Sequence, residues 1–240
     1  MKKIAFVVFL LCISLPMNAQ EIVVDENDST VMTEYHDGRL WAYRKIGNFV
    51  VGMTNFEEKD DYGRYYQIAI FIKNLSENPV TFDPAEVTSY YYNPSGRRVA
   101  MQVYTYEEYM KKVKTAQAWS MALYGFAAGM NAGAAGYQTT YTTTYGAGGM
   151  PYTQVSTTYN YAAASAANIA ATAQIMSLSK MMDDDRNTKS QGYLKKTTIH
   201  PNEGILGYMN IKRKKGSSMT VYIPVDVNTY SFVWDITKRK

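Results

Sequence analysis

A mainly β chain interrupted by a long α-helical insertion is the fold class this sequence predicts. Three observations carry the prediction. Short apolar stretches separated by turn residues occupy 40–104 and recur over 190–240, the spacing of an antiparallel β-sandwich. Between them, Thr115 to Ser179 holds no Asp, Glu, Lys, Arg or His, although about a quarter of an average soluble domain is charged. Both ends of that segment are rich in Ala and Gly and begin at helix-capping residues.

In chain order, Met1-Lys2-Lys3 precedes an apolar run from Ile4 to Leu15 and then Pro16-Met17-Asn18-Ala19. Two cations, a short apolar stretch and a small residue form the pattern of a secretory signal peptide. The run is shorter than the roughly 20 residues a membrane-spanning helix needs, so residues 1–19 read as a leader cut after Ala19. Cys12, the only cysteine, falls inside it and follows Leu11, where a lipoprotein signal wants a small residue. The mature chain then has no disulfide to lean on and must rest on a packed core. The whole chain has 25 Lys+Arg and 21 Asp+Glu, net +4. Loss of Lys2 and Lys3 leaves 23 against 21, or +2, too near neutral to mark a nucleic-acid binder.

Residues 20–39 are polar and acidic, with Asp25, Glu26, Asp28, Glu34 and Asp37, and read as a poorly ordered lead-in. Leu40–Arg44 and Phe49–Met53 flank Gly47-Asn48, a tight-turn pair. In Tyr65–Lys73 the residues Tyr66, Ile68, Ile70 and Ile72 alternate onto one face. Asn74 to Pro79 is a turn cluster, then Val80–Phe82, Val87–Tyr92 and Arg97–Tyr104 follow as strands. Glu57-Glu58-Lys59-Asp60-Asp61 reads as a charged loop. Past the insertion, 192–199, 205–212, 219–225 and 230–236 are strand candidates, punctuated by Pro201-Asn202-Glu203-Gly204 and Lys214-Lys215-Gly216-Ser217. The strand ending in Asn74-Leu75-Ser76, then Pro79-Val80-Thr81-Phe82, and the late Pro201–Gly204 turn make these blocks resemble the small immunoglobulin-like domains of bacterial envelope proteins. The resemblance implies a fold and carries no functional residue with it.

The insertion, 105–189, opens on Thr105-Tyr106-Glu107-Glu108, a capping box in which Thr and Glu satisfy each other's orphan amides. The helix it starts extends to about Gly136. A second helix begins at Asn160, a good cap, and runs through an Ala-dense stretch to about Met182. Tyr137–Tyr145 and Tyr152–Tyr159 are Tyr/Thr-rich, favouring strands, so a β-hairpin at the tip is expected. Gly125, Gly129 and Gly133 recur at spacing four on the first helix, and Ala162, Ala166 and Ala170 on the second. Each such glycine costs about 1 kcal/mol relative to alanine, which points to close approach of another backbone. The spacing resembles glycine-zipper segments of envelope and membrane-associated proteins. These six residues are the candidate association site. Three coverings fit them: the two helices packed on one another, a second copy or another envelope protein, or membrane contact through 115–179.

Catalytic and metal motifs are missing. His36 and His200 are the only histidines, and no cysteine remains outside the leader to join them as zinc ligands. Asp183-Asp184-Asp185 lacks the glycine and glutamate of a calcium loop, Gly146–Gly149 lacks the Gly-Lys of a phosphate loop, and no nucleophile elbow occurs. No catalytic, metal or cofactor-binding residue is therefore assigned. The function expected is a non-enzymatic structural or assembly protein of the envelope, in the periplasm or at the outer membrane or cell surface. The alternative is an extracytoplasmic module binding glycan or peptide with the insertion as spacer. The leader predicts that protein recovered from the source cells begins at Gln20; N-terminal sequencing that returns Met1 contradicts it.

Overall fold

The computed structural model describes residues 30–36, 38–93, 95–145 and 151–237. The signal peptide read over 1–19, its cleavage point and Gly146–Gly149 lie outside these residues. The chain is mainly β, 48% strand against 32% helix, in antiparallel sheets with two helices.

One sheet has six strands in the order β1 (Val31–His36), β2 (Arg39–Ile46), β3 (Phe49–Asp60), β4 (Gly63–Asn74), β12 (Gly204–Lys212) and β8 (Val103–Tyr104). A second has four, β14 (Asn228–Asp235), β13 (Ser218–Val225), β6 (Thr88–Tyr92) and β7 (Arg98–Met101). A short ladder joins β5 (Val80–Phe82) to β11 (Thr197–Ile199). Between β8 and β11 stand α1 (Tyr106–Ala135), β9 (Tyr137–Tyr145), β10 (Pro151–Tyr159) and α2 (Tyr161–Ser190). Strands from before and after the helices are thus hydrogen-bonded neighbours. β12 pairs with β4 from Gly204↔Lys73 to Lys212↔Tyr65, and β13 with β6 from Met219↔Tyr91 to Tyr222↔Thr88.

The alternation in β4 does what it predicts: Tyr66, Ile68, Ile70 and Ile72 are fully buried. They join one hydrophobic cluster that also draws on Met209 and Ile211 of β12, Val221 and Ile223 of β13 and Phe232 and Trp234 of β14. Both large sheets therefore contribute to a single core. Gly47 takes the left-handed φ of +58° that the two-residue turn between β2 and β3 requires.

Three expectations are corrected. The lead-in 20–39 is not loop throughout: Val31–His36 is an edge strand paired to β2, Val31↔Arg44 through His36↔Arg39. Glu34 and His36 sit on that edge at no cost, because an edge strand faces water and tolerates charge. The charged 57–60 stretch is likewise strand, the far end of β3, which pairs to β4 as far as Asp60↔Gly63. The division at residue 105 also shifts. Tyr109, Met110 and Val113 of α1 belong to the core cluster, so the first turns of the helix are part of the β body. Replacement of all of 105–189 would open that core. Loss of 120–179 alone, bridged by a short Gly/Ser linker, is expected to leave a folded protein that still melts in one cooperative transition, and a non-cooperative melt contradicts this.

A buried polar centre ties the sheets' loops together. Asn74 is fully buried. Its Nδ2 donates to the carbonyls of Asn78 (2.8 Å) and Ile199 (3.0 Å), and its Oδ1 accepts from the Ser76 amide (2.9 Å) and hydroxyl (2.7 Å). Asn74→Leu strands those partners, and leaving buried polar groups unpaired costs roughly 2–3 kcal/mol. The expected fall in Tm is about 5–10 °C for a chain of this size; a change under about 2 °C contradicts the assignment.

Candidate interaction surface

The first turns of α1 lie in a cage of tyrosines. Tyr109 stacks on Tyr193 with ring centroids 5.3 Å apart and meets Tyr65 edge-on at 5.8 Å. Tyr104 closes on Tyr65 at 5.8 Å, and Tyr208 on Tyr193 at 4.9 Å. These pairs adopt the edge and stacked geometries that rings prefer. Their hydroxyls are used as well. Tyr109 donates to Asp60 (2.8 Å) and Tyr193 to the Tyr104 carbonyl (2.8 Å). Lys189, at the foot of α2, pairs with the same Asp60 at 3.3 Å. Beside it Tyr62 donates to Asp185 (2.6 Å), and Gln117 Nε2 bridges Tyr62 Oη (2.9 Å) and the Met182 carbonyl (3.0 Å). Both helices are therefore bolted to the β3–β4 turn, with the buried Gln117 Oε1 left without a hydrogen-bond partner.

Both predicted caps are present: Thr105 and Glu108 form the complete box, and Asn160 Oδ1 accepts from the Ala163 amide (3.1 Å). At ~1.5 Å per residue each 30-residue helix is about 45 Å long. α2 runs eight residues beyond its expected end at Met182. Asp183–Asp185 is therefore helix, and Asp185 and Lys189 form part of the bolt.

The two helices touch along a seam of mixed size: Gln117, Met121, Ala128 and Ala132 on α1, and Ala164, Ala167, Ala171, Ile175, Leu178 and Met182 on α2 are buried or half-buried. Register is set by Gln117 against Met182 and by Tyr124 Oη donating to Gln174 Oε1 (3.0 Å). At the top, Gly136 is held by close approach, since a Cβ there would run into the Tyr159 ring and come within 3.0 Å of Ala164 Cβ.

Five of the six candidate association residues have a described exposure. Gly129, Ala162, Ala166 and Ala170 are exposed and Gly125 is half-buried. A Cβ on Gly125 or Gly129 would meet nothing within 4 Å. Gly133 continues the row within α1. Close approach of the two helices uses Gly136, Ala132 and Ala164, while Gly129, Ala162, Ala166 and Ala170 are open to the outside.

Larger residues dominate the outside; they differ in type, so no single-residue spacing marks them in the sequence. Trp119, Leu123, Phe126 and Met130 are 62–71% exposed. Their spacing of four, three and four makes one straight ridge, opposite the seam. On the flank of α2, Tyr161, Ile169 and Met176 line an open groove of 620 Å³ with Tyr159, Ser165 and Thr172. Above the helices, β9 and β10 pair from Tyr137↔Tyr159 to Tyr145↔Pro151 as a two-stranded sheet. Each strand thus keeps one edge free of any other strand among the described residues. Period two puts Tyr137, Tyr141, Val155 and Tyr159 on one face and Gln138, Thr140, Ser156 and Thr158 on the other.

No family model, curated protein or solved structure matches this chain. Among the described residues no helix is long and apolar enough to cross a membrane, and no three His, Cys, Asp or Glu side chains stand together as metal ligands.

Burial, aided by the Asp185 hydrogen bond, pushes the Tyr62 phenol up to about 12, and burial pushes Tyr208 up to about 12. Burial, with the hydrogen bond to Asp60, also raises Tyr109. A folded-state pKa above the unfolded value of about 10 contributes stability that is intact below pH 10 and lost as pH rises through 12. The urea midpoint should be flat to about pH 9 and fall above pH 10, less steeply in Tyr62→Phe. A midpoint still flat at pH 11.5 contradicts this account of the bolt.

Proposed function

We propose that this chain is an exported, non-enzymatic protein of the bacterial envelope that acts by self-association. In this reading the two large sheets face one another as an immunoglobulin-like sandwich. The insertion 105–189 is rooted in it by 105–113 and projects beyond as an association arm. The leader pattern at the N-terminus supports export to the periplasm or the outer membrane or cell surface.

One observation carries the reading. A rigidly bolted arm with no charge between Thr115 and Ser179 presents Trp119, Leu123, Phe126 and Met130 to the outside, each more than 60% exposed. Monomeric soluble proteins rarely leave contiguous apolar surface of this kind open. A helical face that is neither charged nor covered by its own chain requires a partner. A second copy is the partner present wherever the chain is. Polar groups within the arm (Asn131, Asn168, Gln174) favour a protein partner over lipid, where unpaired polar groups are costly.

Size-exclusion chromatography with light scattering tests it. The chain expressed from Gln20 is expected to elute as an oligomer. The double variant Leu123→Glu/Phe126→Glu is expected to elute as a monomer with unchanged circular dichroism, because the carboxylates would have to be desolvated in the contact. A wild-type chain that is monomeric at about 50 μM, well above a micromolar Kd, contradicts the reading.

A further inference from the structure

We infer that copies of this chain assemble side by side with their arms parallel, the α1 ridge of one seated in the α2 groove of the next, so that β9 of one copy meets β10 of its neighbour and the tips merge into one continuous sheet. The inference rests on the self-association reading above and specifies its geometry.

Four observations converge on it. The first is level. Gln117 stands against Met182, and Tyr124 against Gln174. By that register Leu123 is level with Met176, and Met130 with Ile169. The ridge and the groove therefore sit at the same height on opposite flanks of one arm. A neighbour placed beside it by pure rotation, with no slide along the arm, brings the two together. That is the condition for a closed cyclic assembly and not a filament.

The second is direction. In such an array α1 of one copy runs against α2 of the next, antiparallel, as α1 and α2 already do within the chain. β9 then meets the neighbouring β10 antiparallel too, continuing the pairing of the two-stranded sheet. A lone two-stranded hairpin is marginal in water, and its free backbone edges are templates for a further strand. Here those two edges supply each other.

The third is curvature. On α1 the ridge lies opposite the seam, whereas on α2 the groove lies about a third of a turn round from the seam at 100° per residue. The row of helices therefore bends at every α2, and a bent row can close.

The fourth is extent. The free part of α1, 115–135, is a flank about 32 Å long and about 10 Å wide. With a strand edge of about 30 Å it gives roughly 550 Å² per side, or about 1,100 Å² in all, above the roughly 1,000 Å² a biological interface needs. No like charges oppose the contact, because 115–179 has none.

The test is directional cross-linking. Two differently tagged full chains, both carrying Cys12→Ser so that no other cysteine remains, are co-expressed. One carries Leu123→Cys and the other Met176→Cys, both at exposed positions. Mild oxidation is expected to join the two tags in a mixed disulfide, while neither variant expressed alone links to itself. Self-linking by Leu123→Cys alone overturns the inference, since it reports a two-fold contact of ridge on ridge. An oligomer with no mixed disulfide also overturns it, yet leaves self-association standing. Monomers that instead float with phosphatidylethanolamine–phosphatidylglycerol vesicles place lipid on the ridge and overturn both.

Discussion

The position of Tyr109 is the constraint from which the rest of the molecule follows. Its ring is stacked on Tyr193 and edge-on to Tyr65, and its hydroxyl ends on Asp60. One residue thus joins the first turn of α1, the strand pair β3–β4 and the segment leaving α2. Asp60 in turn receives Lys189 from the foot of α2. A carboxylate in this setting is held by a neutral donor and a cation together, the arrangement in which partial burial of charge is tolerated. Helices anchored this firmly at one end act as levers. Their direction is set by the core, and whatever their outer faces meet is presented at a fixed angle.

The lever explains why the arm is built from small residues without being floppy. Alanine is the best helix former, and Ala164, Ala167 and Ala171 let the second helix come close to the first. The aromatic side chains Trp119 and Phe126 lie outside, while Met121, Ile175 and Leu178 share the seam with the alanines. A free-standing soluble hairpin carries charge on its outer face. Here that outer face carries Trp119 and Phe126 instead, and 115–179 holds no charge.

Much of the body was legible in the residues. Tyr66, Ile68, Ile70 and Ile72 declare their face by period two, Gly47-Asn48 declares its turn, and Thr105 with Glu108 declares the helix start to the residue. Illegible parts fall where a local signal is overridden by distant neighbours. Asp60 looks like loop because four charged residues surround it, and only Tyr109 and Lys189, remote in sequence, make it an anchor. Val31–His36 looks like a tail because its charges hide the Val and Tyr of an edge strand. In the arm, equal spacing of Gly125, Gly129 and Gly133 drew the eye to close packing. Spacing alone does not say which side of a helix faces its partner, and it is the Tyr124–Gln174 and Gln117–Met182 bonds that do. The ridge at 119, 123, 126 and 130 was readable by the same periodicity, hidden only because its members differ in type.

Amide hydrogen exchange read as a function of protein concentration bears most directly on the central claim that the arm is completed by another copy. Amides of 119–130 and of β9 and β10 should gain protection as concentration rises, because the ridge is covered and the outer strand edges acquire acceptors. Amides of 106–113, already enclosed by the tyrosine cage, should exchange at the same slow rate throughout. Protection of the arm that is independent of concentration over a hundredfold range would contradict the account.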